Sequence, residues 1–260
     1  MKLKGKVALI TGAGGGIGSA IARTFAAEGA TLVLTDVADN AVKSLAAETG
    51  GKGHAHDVSD EARWAEIVAE TLSGHGRIDI LVNAAGIEGN LRESGLDTSL
   101  GEWRRVMAVN LDGTFLGCRA VLPAMLKQGS GSIMNLSSIV SFMGTPTALA
   151  YGASKAGVAQ LSRSIALLGA QDGAKVRCNS IHPGVIKTRM TDAIFSEFAA
   201  NTGSSADEVE TTLCASIPFG ARGQPMDVAG LALFLASDDA AYITGSEFKV
   251  DGGWSVTSAG

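Results

Sequence analysis

A glycine-rich turn joins the first apolar run of the chain to the first helical pattern, and this junction constrains the fold more than any other feature. The run Val7–Ile10 has the length and continuous hydrophobicity of a buried parallel strand. The loop Thr11–Gly18 follows it, and apolar residues then recur at helical spacing as far as Gly29. Glycines let a backbone approach a bound group closely, and the N–H groups at a helix N-terminus attract anions. The junction therefore predicts a strand–loop–helix unit that holds a pyrophosphate.

Apolar runs of strand length alternate with helical patterns along the whole chain. Strands that alternate with helices form a parallel sheet with helices on both faces. No internal repeat and no linker interrupts this order, so residues 1–260 are predicted to form a single doubly wound α/β domain with about seven parallel strands. The predicted strands are Val7–Ile10, Thr31–Asp36, Gly53–Val58, Ile78–Asn83, Ser132–Ser138, Lys175–Ile181 and Ser246–Val250. The predicted helices between them include Ala41–Thr49, Ala62–Gly74, Leu100–Lys127, Tyr151–Ala170 and one that begins at Pro225.

Composition argues against several classes of partner. The net charge is −5 and no basic block occurs, which disfavours nucleic acid and anionic membranes. No apolar run reaches the ~18 residues of a membrane span, and the first residues lack the features of a signal peptide. Three widely spaced cysteines are typical of buried thiols in a reducing compartment, so we expect a cytoplasmic protein. His54 and His56 share a face, but no third ligand is spaced nearby, so no metal site is expected.

An acidic residue closes the second predicted strand. Asp36 lies 18 residues after Gly18, near the spacing at which a carboxylate binds the adenosine ribose hydroxyls. A 2′-phosphate there would meet a like charge, Val37 follows the acid, and the loop Thr11–Gly18 contains no Arg or Lys. The pattern favours NAD over NADP. Asp36 could instead cap the helix predicted from Ala41.

Two further strand ends carry candidate cofactor contacts. Asp57 and Val58 close the third strand, where the carboxylate could accept a hydrogen bond from an adenine amino group or cap the next helix. Asn83, Ala84 and Gly86 follow the fourth strand, and the small residues leave room for a ligand at the topological switch point. Asn83 could contact that ligand or hold neighbouring strands together.

A tyrosine and a lysine share one face of a predicted helix. Tyr151 and Lys155 are one turn apart. An ammonium within about 4–6 Å lowers the pKa of a phenol, and such a phenol can exchange a proton with an alcohol oxygen. Ser138 ends the fifth strand, and the loop Ile139–Ala150 can bring its hydroxyl over the helix to bond a substrate oxygen. The alternatives are an aromatic ring packed under a lysine stem and a strand-end serine without a catalytic role.

A buried amide is predicted in the long helix Leu100–Lys127. Asn110 falls on the apolar face of that helix, where an amide is costly unless it is hydrogen-bonded. The functional interpretation is that Asn110 opens the helix and binds a water in a proton path. The alternative is a structural amide whose bonds are satisfied within the protein.

The sixth strand leads into candidate nicotinamide contacts and an irregular segment. Pro183–Gly184 is a turn signal where the chain would cross the nicotinamide, His182 before it could face the cofactor, and Thr188 could bind a carboxamide or phosphate oxygen. The segment at about 189–217 mixes apolar residues with a polar middle, which is typical of a substrate lid and also of a surface helical hairpin. The candidate pocket residues are mostly apolar: Ile139, Val140, Phe142, Leu149, Val185, Met190, Ile194, Phe195 and Phe198.

Together these residues resemble the short-chain dehydrogenase/reductase family over essentially the whole chain. The motifs that occur in the family's order and near its spacings are Thr11–Gly18, Asp57, Asn83–Gly86, Asn110, Ser138, Tyr151-x-x-x-Lys155 and Pro183–Gly184. Each is weak alone, but the series is highly specific. The resemblance implies a Rossmann domain that binds NAD through Gly12, Gly16, Ile17, Gly18, Asp36, Asp57, Val58, Asn83, Ala84, Gly86, Tyr151, Lys155, Pro183, Gly184, Val185 and Thr188.

The same resemblance implies a hydride-transfer site with Tyr151 as general acid/base. Lys155 would lower the pKa of the phenol and bind the nicotinamide ribose, Ser138 would orient the substrate oxygen, and Asn110 would hold a water that relays the proton to solvent. With the apolar pocket, the expected reaction is hydride transfer between NAD(H) and a hydrophobic secondary alcohol or ketone, cyclic ones included. The resemblance also implies a homo-oligomer, commonly a tetramer.

Two other functions remain open at this point. The chain also resembles 3-oxoacyl-carrier-protein reductases, although these usually take NADPH and carry basic residues before the fifth and sixth strands, where only Lys127 and Lys175 occur. A non-catalytic NAD-binding scaffold would require a broken active site, whereas all four expected catalytic residues are present.

Overall fold

The computed structural model describes residues 1–90 and 95–257, and its centre is a parallel sheet of seven strands. The strands are β1 (Val7–Thr11), β2 (Thr31–Asp36), β3 (Lys52–Ala55), β4 (Ile80–Asn83), β5 (Ser130–Leu136), β6 (Lys175–Pro183) and β7 (Glu247–Val250). Their order in the sheet is β3-β2-β1-β4-β5-β6-β7. This order confirms the doubly wound α/β fold that the sequence predicts.

Helices cover both faces of the sheet because the central strands are apolar on both sides. Ala8 and Ile10 of β1 belong to the core shared with the first and last helices, whereas Leu9 between them belongs to the core on the other face. The helices are α1 (Gly16–Ala27), α2 (Asp39–Thr49), α3 (Glu61–His75), α4 (Leu100–Met107), α5 (Gly113–Gln128), α6 (Leu149–Gly169), α7 (Arg189–Thr202), α8 (Ala206–Cys214) and α9 (Pro225–Ala236).

A crevice lies where the winding direction changes. β1 and β4 are direct neighbours, with Thr11 beside Asn83 at their carboxyl ends. The chain leaves β1 toward β2 on one side and leaves β4 toward β5 on the other, so the two connections part above this point. The glycine loop and the segment after Asn83 therefore border the same crevice.

Two elements differ from the sequence prediction. The third strand ends at Ala55 rather than at Val58, because the Asp57 carboxylate accepts the Ser59 N–H (2.9 Å) and turns the chain toward α3. The single long helix predicted after Leu100 is divided into α4 and α5 by a π-helical segment at 108–112. A π-helical turn widens the backbone spiral locally, and such turns occur often at functional sites.

The irregular segment before α9 contains two capped helices. The Thr188 and Ser205 hydroxyls accept N–H groups from the first turns of α7 and α8. Arg222 joins the helices, because it bonds Asp192 on α7 (2.6 Å) and Glu210 on α8 (2.7 Å). Its side chain is only 6% exposed, so this junction is an internal one.

Candidate active site

The loop after β1 requires glycine at two points. Gly12 has a φ of +63°, and a Cβ there would lie 2.6 Å from the backbone nitrogen of Ala85. A Cβ on Gly18 would lie 2.2 Å from the Gly12 carbonyl oxygen, so no side chain fits between α1 and the loop. Gly15 precedes the first helical residue, Gly16, and has no side chain with which to cap α1. The first N–H groups of α1 are thus suited to the predicted pyrophosphate.

Asp36 lies across the glycine loop. Its carboxylate accepts the N–H groups of Gly14 (2.9 Å) and Ala38 (2.8 Å), which hold it at the end of β2. It does not cap α2, which begins at Asp39 without a side-chain cap. This is the position that a ribose-binding carboxylate requires. Ile17 is partly buried against the core, so its backbone rather than its side chain is the part suited to a cofactor.

A basic residue that the sequence does not connect with the loop lies beside it. Arg189, the first residue of α7, donates from Nη2 to the Gly14 carbonyl oxygen (3.2 Å). The preceding Thr188 places its methyl group 2.7 Å from where a Gly16 Cβ would lie. The glycine loop has no cation of its own, but the packing of α7 brings one from far along the chain. No local spacing could have revealed this contact.

The two candidate cofactor residues after the third strand, Asp57 and Val58, already contact other parts of the protein. Asp57 Oδ1 accepts both the N–H (2.9 Å) and the hydroxyl (2.7 Å) of Ser59, and these bonds lower the Asp57 pKa. The cap of α3 is Asp60, so the helix-cap alternative proposed for Asp57 is wrong. Val58 is buried, and a Cβ on Gly113 of α5 would lie 2.6 Å from its methyl group. Only the backbone of Val58 is therefore suited to a cofactor.

Asn83 has a structural role. It is 3% exposed, and its Nδ2 donates to Asn135 Oδ1 on β5 (2.9 Å). Of the two predicted alternatives, the structure shows the one in which Asn83 holds neighbouring strands together. Its contact with the cofactor stays a prediction, and only its backbone is suited to it, because the amide is turned into the protein interior.

Asn110 lies fully buried in the π-helical segment and joins the exit of β4 to α6. Its Oδ1 accepts the Ile87 N–H (2.8 Å), while its Nδ2 donates to the Ile87 carbonyl (2.9 Å) and to the Ser154 hydroxyl (3.0 Å). Both amide hydrogens are therefore in use, as the structural alternative predicts. The water-binding role stays a prediction and rests on the remaining lone pair of Oδ1.

Gly86 leaves a gap between two predicted catalytic side chains. A Cβ on Gly86 would lie 3.2 Å from Lys155 Nζ and 3.3 Å from Asn110 Oδ1. The neighbouring Ala84 and Ala85 donate their N–H groups to the Thr11 hydroxyl, which fixes the start of this segment. An ammonium and an amide oxygen on either side of one small gap suit the predicted proton relay.

Tyr151 pairs with Ser138, but its pKa shifts in the unexpected direction. The Ser138 hydroxyl hydrogen-bonds the phenol and lowers its pKa. Burial has a larger and opposite effect, and the carboxylate of Glu88 adds to it, so the pKa of Tyr151 is raised above its ordinary value of 10.0. The sequence therefore predicted that Ser138 lies near Tyr151, but the expected lowering of the phenol's pKa is wrong.

Lys155 lies near the phenol without contacting its oxygen. Its Nζ donates to the Leu136 carbonyl oxygen (2.8 Å) and is 5.7 Å from the centre of the Tyr151 ring. The expected lowering of the Tyr151 pKa by Lys155 is thus corrected, since burial outweighs any effect of the ammonium. Burial also lowers the pKa of Lys155 to about 8.

The exit of β6 lies between β7 and α7. The Gly184 N–H donates to the Val250 carbonyl (2.9 Å), and a Gly184 Cβ would lie 2.9 Å from the α-carbon of Asp251. Pro183 is buried at the end of β6, and the Val185 carbonyl accepts a loop N–H. These predicted nicotinamide residues form a wall next to Thr188, whose hydroxyl caps α7.

The predicted substrate-pocket residues do not line one cavity. Leu149 and Tyr151 line a narrow cleft that also contains Glu88. Ile194 and Phe195 line a separate, largely apolar cavity of about 400 Å³ between α7 and α8. No residue lines both. The sequence allows Glu88, just past Gly86, to line a pocket entrance or to be a solvated loop acid, and the structure places it in the lining of this cleft.

The remaining pocket candidates lie around the turn after Ser138 and at the start of α7. Ile139 is buried, whereas Val140 is half-buried. Phe142 is 44% exposed and packs against the ring of His182. Met190 is 38% exposed, and Phe198 lines the cavity between α7 and α8.

Within residues 1–90 and 95–257, no group of three His, Cys, Asp or Glu side chains could hold a metal ion. In the same part of the chain, no helix combines the length and the hydrophobicity needed to cross a membrane. Cys118, Cys178 and Cys214 are all buried as free thiols.

Known proteins match the chain almost from end to end. A family model described as enoyl-(acyl carrier protein) reductase matches residues 12–255. The chain is 41% identical to an NADP-dependent (R)-specific alcohol dehydrogenase of Lentilactobacillus kefiri, over 98% of this chain and 98% of that protein. It is 40% identical to a 3-alpha-(or 20-beta)-hydroxysteroid dehydrogenase of Mycobacterium tuberculosis, over 97% and 90%. It is 39% identical to a 3-oxoacyl-(acyl-carrier-protein) reductase of Thermotoga maritima, over 97% and 99%.

Solved structures show the same architecture. The crystal structure of levodione reductase superposes with a TM-score of 0.93 at 33% identity, covering 98% of this chain and all of that one (100%). A short-chain type dehydrogenase/reductase from Mycobacterium marinum superposes with a TM-score of 0.87 at 31% identity, covering 97% and 96%.

Proposed function

The chain belongs to the short-chain dehydrogenase/reductase family, and we propose that it transfers a hydride between NAD(H) and a hydrophobic secondary alcohol or ketone. Its relatives are named as alcohol and hydroxysteroid dehydrogenases, so it is an oxidoreductase that acts on CH–OH groups with a nicotinamide cofactor. The single observation that carries the proposal is the pairing of Ser138 with Tyr151 beside the gap bordered by Lys155 and Asn110.

The residues around the crevice fit a nicotinamide dinucleotide. The glycine loop leaves a cradle at the N-terminus of α1 that a Cβ on Gly18 would fill. The Asp36 carboxylate, held by two N–H groups, would bind the adenosine ribose hydroxyls and repel a 2′-phosphate, which supports NAD. The NADP dependence of the L. kefiri relative and the cation of Arg189 are the observations that favour NADP. We propose NAD because the carboxylate directly faces the loop.

The protein's own contribution to the reaction is the placement of one proton. When bound, the cofactor supplies the hydride acceptor or donor. Tyr151 takes the alcohol proton in oxidation and returns it in reduction, and Ser138 orients the substrate oxygen against the phenol. Lys155 Nζ and Asn110 Oδ1 border the gap at Gly86, through which we propose that the proton passes to solvent.

The substrate is proposed to be apolar, cyclic alcohols included, with its reacting oxygen in the cleft of Tyr151. Leu149 lines that cleft, and the helices α7 and α8 carry the larger apolar cavity. We propose that these helices, at about 189–217, act as a lid over the substrate. On family resemblance we also propose a cytoplasmic homotetramer.

A 3-oxoacyl-carrier-protein reductase is the second candidate function. The T. maritima relative supports it. Two observations favour the first candidate: the carboxylate of Asp36, which disfavours NADPH, and the scarcity of basic residues before β5 and β6, where Lys127 and Lys175 stand alone.

A screen of NAD reduction over cyclic, aromatic, steroid and short aliphatic secondary alcohols, with NADP in parallel, tests the proposal. Removal of a general acid/base costs about 10²–10⁴-fold, so Tyr151→Phe should lose turnover by that factor and still bind NAD. Activity confined to acyl thioesters with NADPH would support the second candidate instead. Undiminished turnover in Tyr151→Phe would exclude the proposed role of the phenol.

A further inference from the structure

A fully buried histidine that takes no part in the proposed proton path contacts the segment of Ser138. His182 lies near the end of β6 and is 0% exposed, so it does not face the cofactor as the sequence allowed. Its Nδ1 is 3.1 Å from the Ser138 carbonyl oxygen and 2.9 Å from the Ser141 hydroxyl, and its Nε2 is 2.8 Å from the Ser180 hydroxyl. Both ring nitrogens therefore have partners.

These contacts select one tautomer of the imidazole. A carbonyl oxygen can only accept, so the bond to Ser138 requires the proton on Nδ1. Nε2 of the neutral ring is then an acceptor for the hydroxyl proton of Ser180. The hydroxyl (2.7 Å) and the N–H (3.1 Å) of Ser141 also donate to the Ser138 carbonyl, so three donors converge on one oxygen.

The surroundings keep the ring neutral. Burial lowers the pKa of His182 to about 4. The bond to Ser138 opposes burial with a smaller effect, and the charges of Lys249, Lys155 and Arg163 add lesser contributions in the same direction as burial. The ring of Phe142 covers His182 with centroids 4.7 Å apart, and Lys249 Nζ lies 4.4 Å from the centre of the Phe142 ring. At neutral pH the ring of His182 is thus uncharged, and its hydrogen-bond pattern does not change with pH.

We infer that His182 is a positioning residue that sets the direction of the Ser138 hydroxyl toward the phenol of Tyr151. Ser138 has extended backbone angles (φ −164°, ψ 160°) and ends the strand segment just before a turn. Three donors on its carbonyl oxygen fix the peptide plane after it, and the Val140 N–H donates to its hydroxyl oxygen (3.4 Å). With that plane held, the turn that carries Val140 keeps its N–H aimed at the Ser138 hydroxyl oxygen, and the hydroxyl keeps one direction. This role rests on the proposed function of Ser138.

The first test is a double-mutant cycle with Ser138. His182→Phe keeps a ring and removes both hydrogen bonds, and a small misplacement of a reacting group can cost about 10²-fold in rate. We expect kcat to fall about 10- to 100-fold, with the KM for the alcohol and the Kd for NAD within about 2-fold. In a Ser138→Ala background the same change should lower kcat by less than about 2-fold, because the residue acts through Ser138. Equal losses in both backgrounds would overturn the inference.

Matched variants separate positioning from general destabilisation. In His182→Asn the side-chain amide can donate to the Ser138 carbonyl in place of Nδ1, and kcat should return to within about 5-fold of the wild type. His56→Phe changes another buried histidine, whose Nδ1 bonds the Thr35 hydroxyl, and should affect Tm without the selective loss of kcat. If His182→Asn and His182→Phe lose the same activity, the hydrogen bond is not what matters and the inference fails.

A spectroscopic test does not depend on catalysis. In the ¹⁵N spectrum of the wild-type protein, the His182 ring, assigned by its loss in His182→Asn, should show the neutral Nδ1–H form unchanged between pH 6 and 8. An Nε2–H form would contradict the geometry directly. If no alcohol supports turnover, the proposed function fails while this measurement still decides the hydrogen-bond arrangement.

Discussion

The proposed cofactor half of the crevice and the proposed lid half are built from different kinds of contact. In the cofactor half, β1 to β2 with the glycine loop, backbone approaches backbone so closely that a Cβ on Gly12 or Gly18 would overlap main-chain atoms. In the lid half, α7 and α8, the side chain of Arg222 bridges the two helices through Asp192 and Glu210. Where backbone lies against backbone, the sequence must carry glycine and a larger residue does not fit. Where a side chain bridges two helices, the sequence shows no local pattern, and that side chain can be replaced.

The strongest test of this comparison is to add one methyl group to the cofactor half. In Gly18→Ala the Cβ would lie 2.2 Å from the Gly12 carbonyl oxygen, so the loop must move away from α1. Overpacking typically costs about 1–3 kcal/mol, which corresponds to roughly 3–10 °C in Tm for a chain of this length. We expect NAD binding, measured by titration calorimetry, to be lost.

Gly230→Ala in α9 is the matched control for Gly18→Ala. Nothing lies within 4 Å of a Cβ at Gly230, so the methyl group meets open space. Alanine is favoured over glycine in a helix by about 0.5–1 kcal/mol, and this variant should gain stability. If the two variants behave alike, close backbone approach is not what distinguishes the cofactor half.

The pH dependence of alcohol oxidation tests the region between the two halves, where Tyr151 and Lys155 lie. Oxidation needs the deprotonated phenol, and a raised pKa leaves little of it at pH 7, so kcat/KM for oxidation should rise by up to about 10-fold per unit between pH 7 and 9. Reduction needs the protonated phenol and should stay nearly constant over this range. The profile is measured where a deuterated alcohol shows a primary isotope effect, so that hydride transfer limits the rate. A flat oxidation profile under that condition would exclude Tyr151 as the base.

Lys155→Met sharpens the same test. The pKa of Lys155 is about 8, so its side chain is charged at pH 7. The substitution removes this ammonium and with it the electrostatic stabilisation of the phenolate. We expect oxidation at pH 7 to fall about 100-fold, with the rise of the profile displaced to higher pH. If the profile of Lys155→Met matches that of the wild type, Lys155 contributes only its bond to Leu136.

The residues that could be predicted are those whose role depends on residues close to them in the sequence. Gly12, Gly18 and the pair Tyr151–Lys155 belong to short motifs, because a turn or one helical face determines them. The doubly wound fold followed from the alternation of strands and helices. These features all depend on spacings of a few residues.

The residues that could not be predicted depend on packing between distant parts of the chain. Asn83 turned inward because Asn135 on the neighbouring strand accepts its amide, and Arg189 reached Gly14 because α7 packs on the glycine loop. The pKa of Tyr151 is raised because burial outweighs the hydrogen bond from Ser138. Spacing in sequence shows which groups are close, but desolvation depends on everything that surrounds them.

The preference for NAD or NADP tests whether a single side chain of the cofactor half, Asp36, determines which cofactor binds. Asp36→Asn removes the charge that would oppose a 2′-phosphate and weakens the bonds expected to the ribose. Hydrogen bonds to charged groups contribute about 1.5–3 kcal/mol, so the ratio of the Kd values for NAD and NADP should shift by roughly 10- to 100-fold toward NADP. Asp39→Asn, the same change at a residue paired with Lys43, should leave the ratio unaltered. Wild-type preference for NADP would show instead that Arg189 outweighs Asp36.

The smallest effect is expected from the lid half, and it decides whether the two halves are independent. Arg222→Met removes the junction of α7 and α8, but Asp192 and Glu210 are 54% and 37% exposed and can be rehydrated, so the chain should stay folded. We expect the KM for an apolar alcohol to rise about 5-fold, because the lid closes less often, with the Kd for NAD unchanged. Arg23→Met, which removes an exposed pair with Glu48, should change neither constant. If Arg222→Met weakens NAD binding as much as it raises KM, the contact of α7 with the glycine loop couples the halves, and the lid belongs to the cofactor site as well.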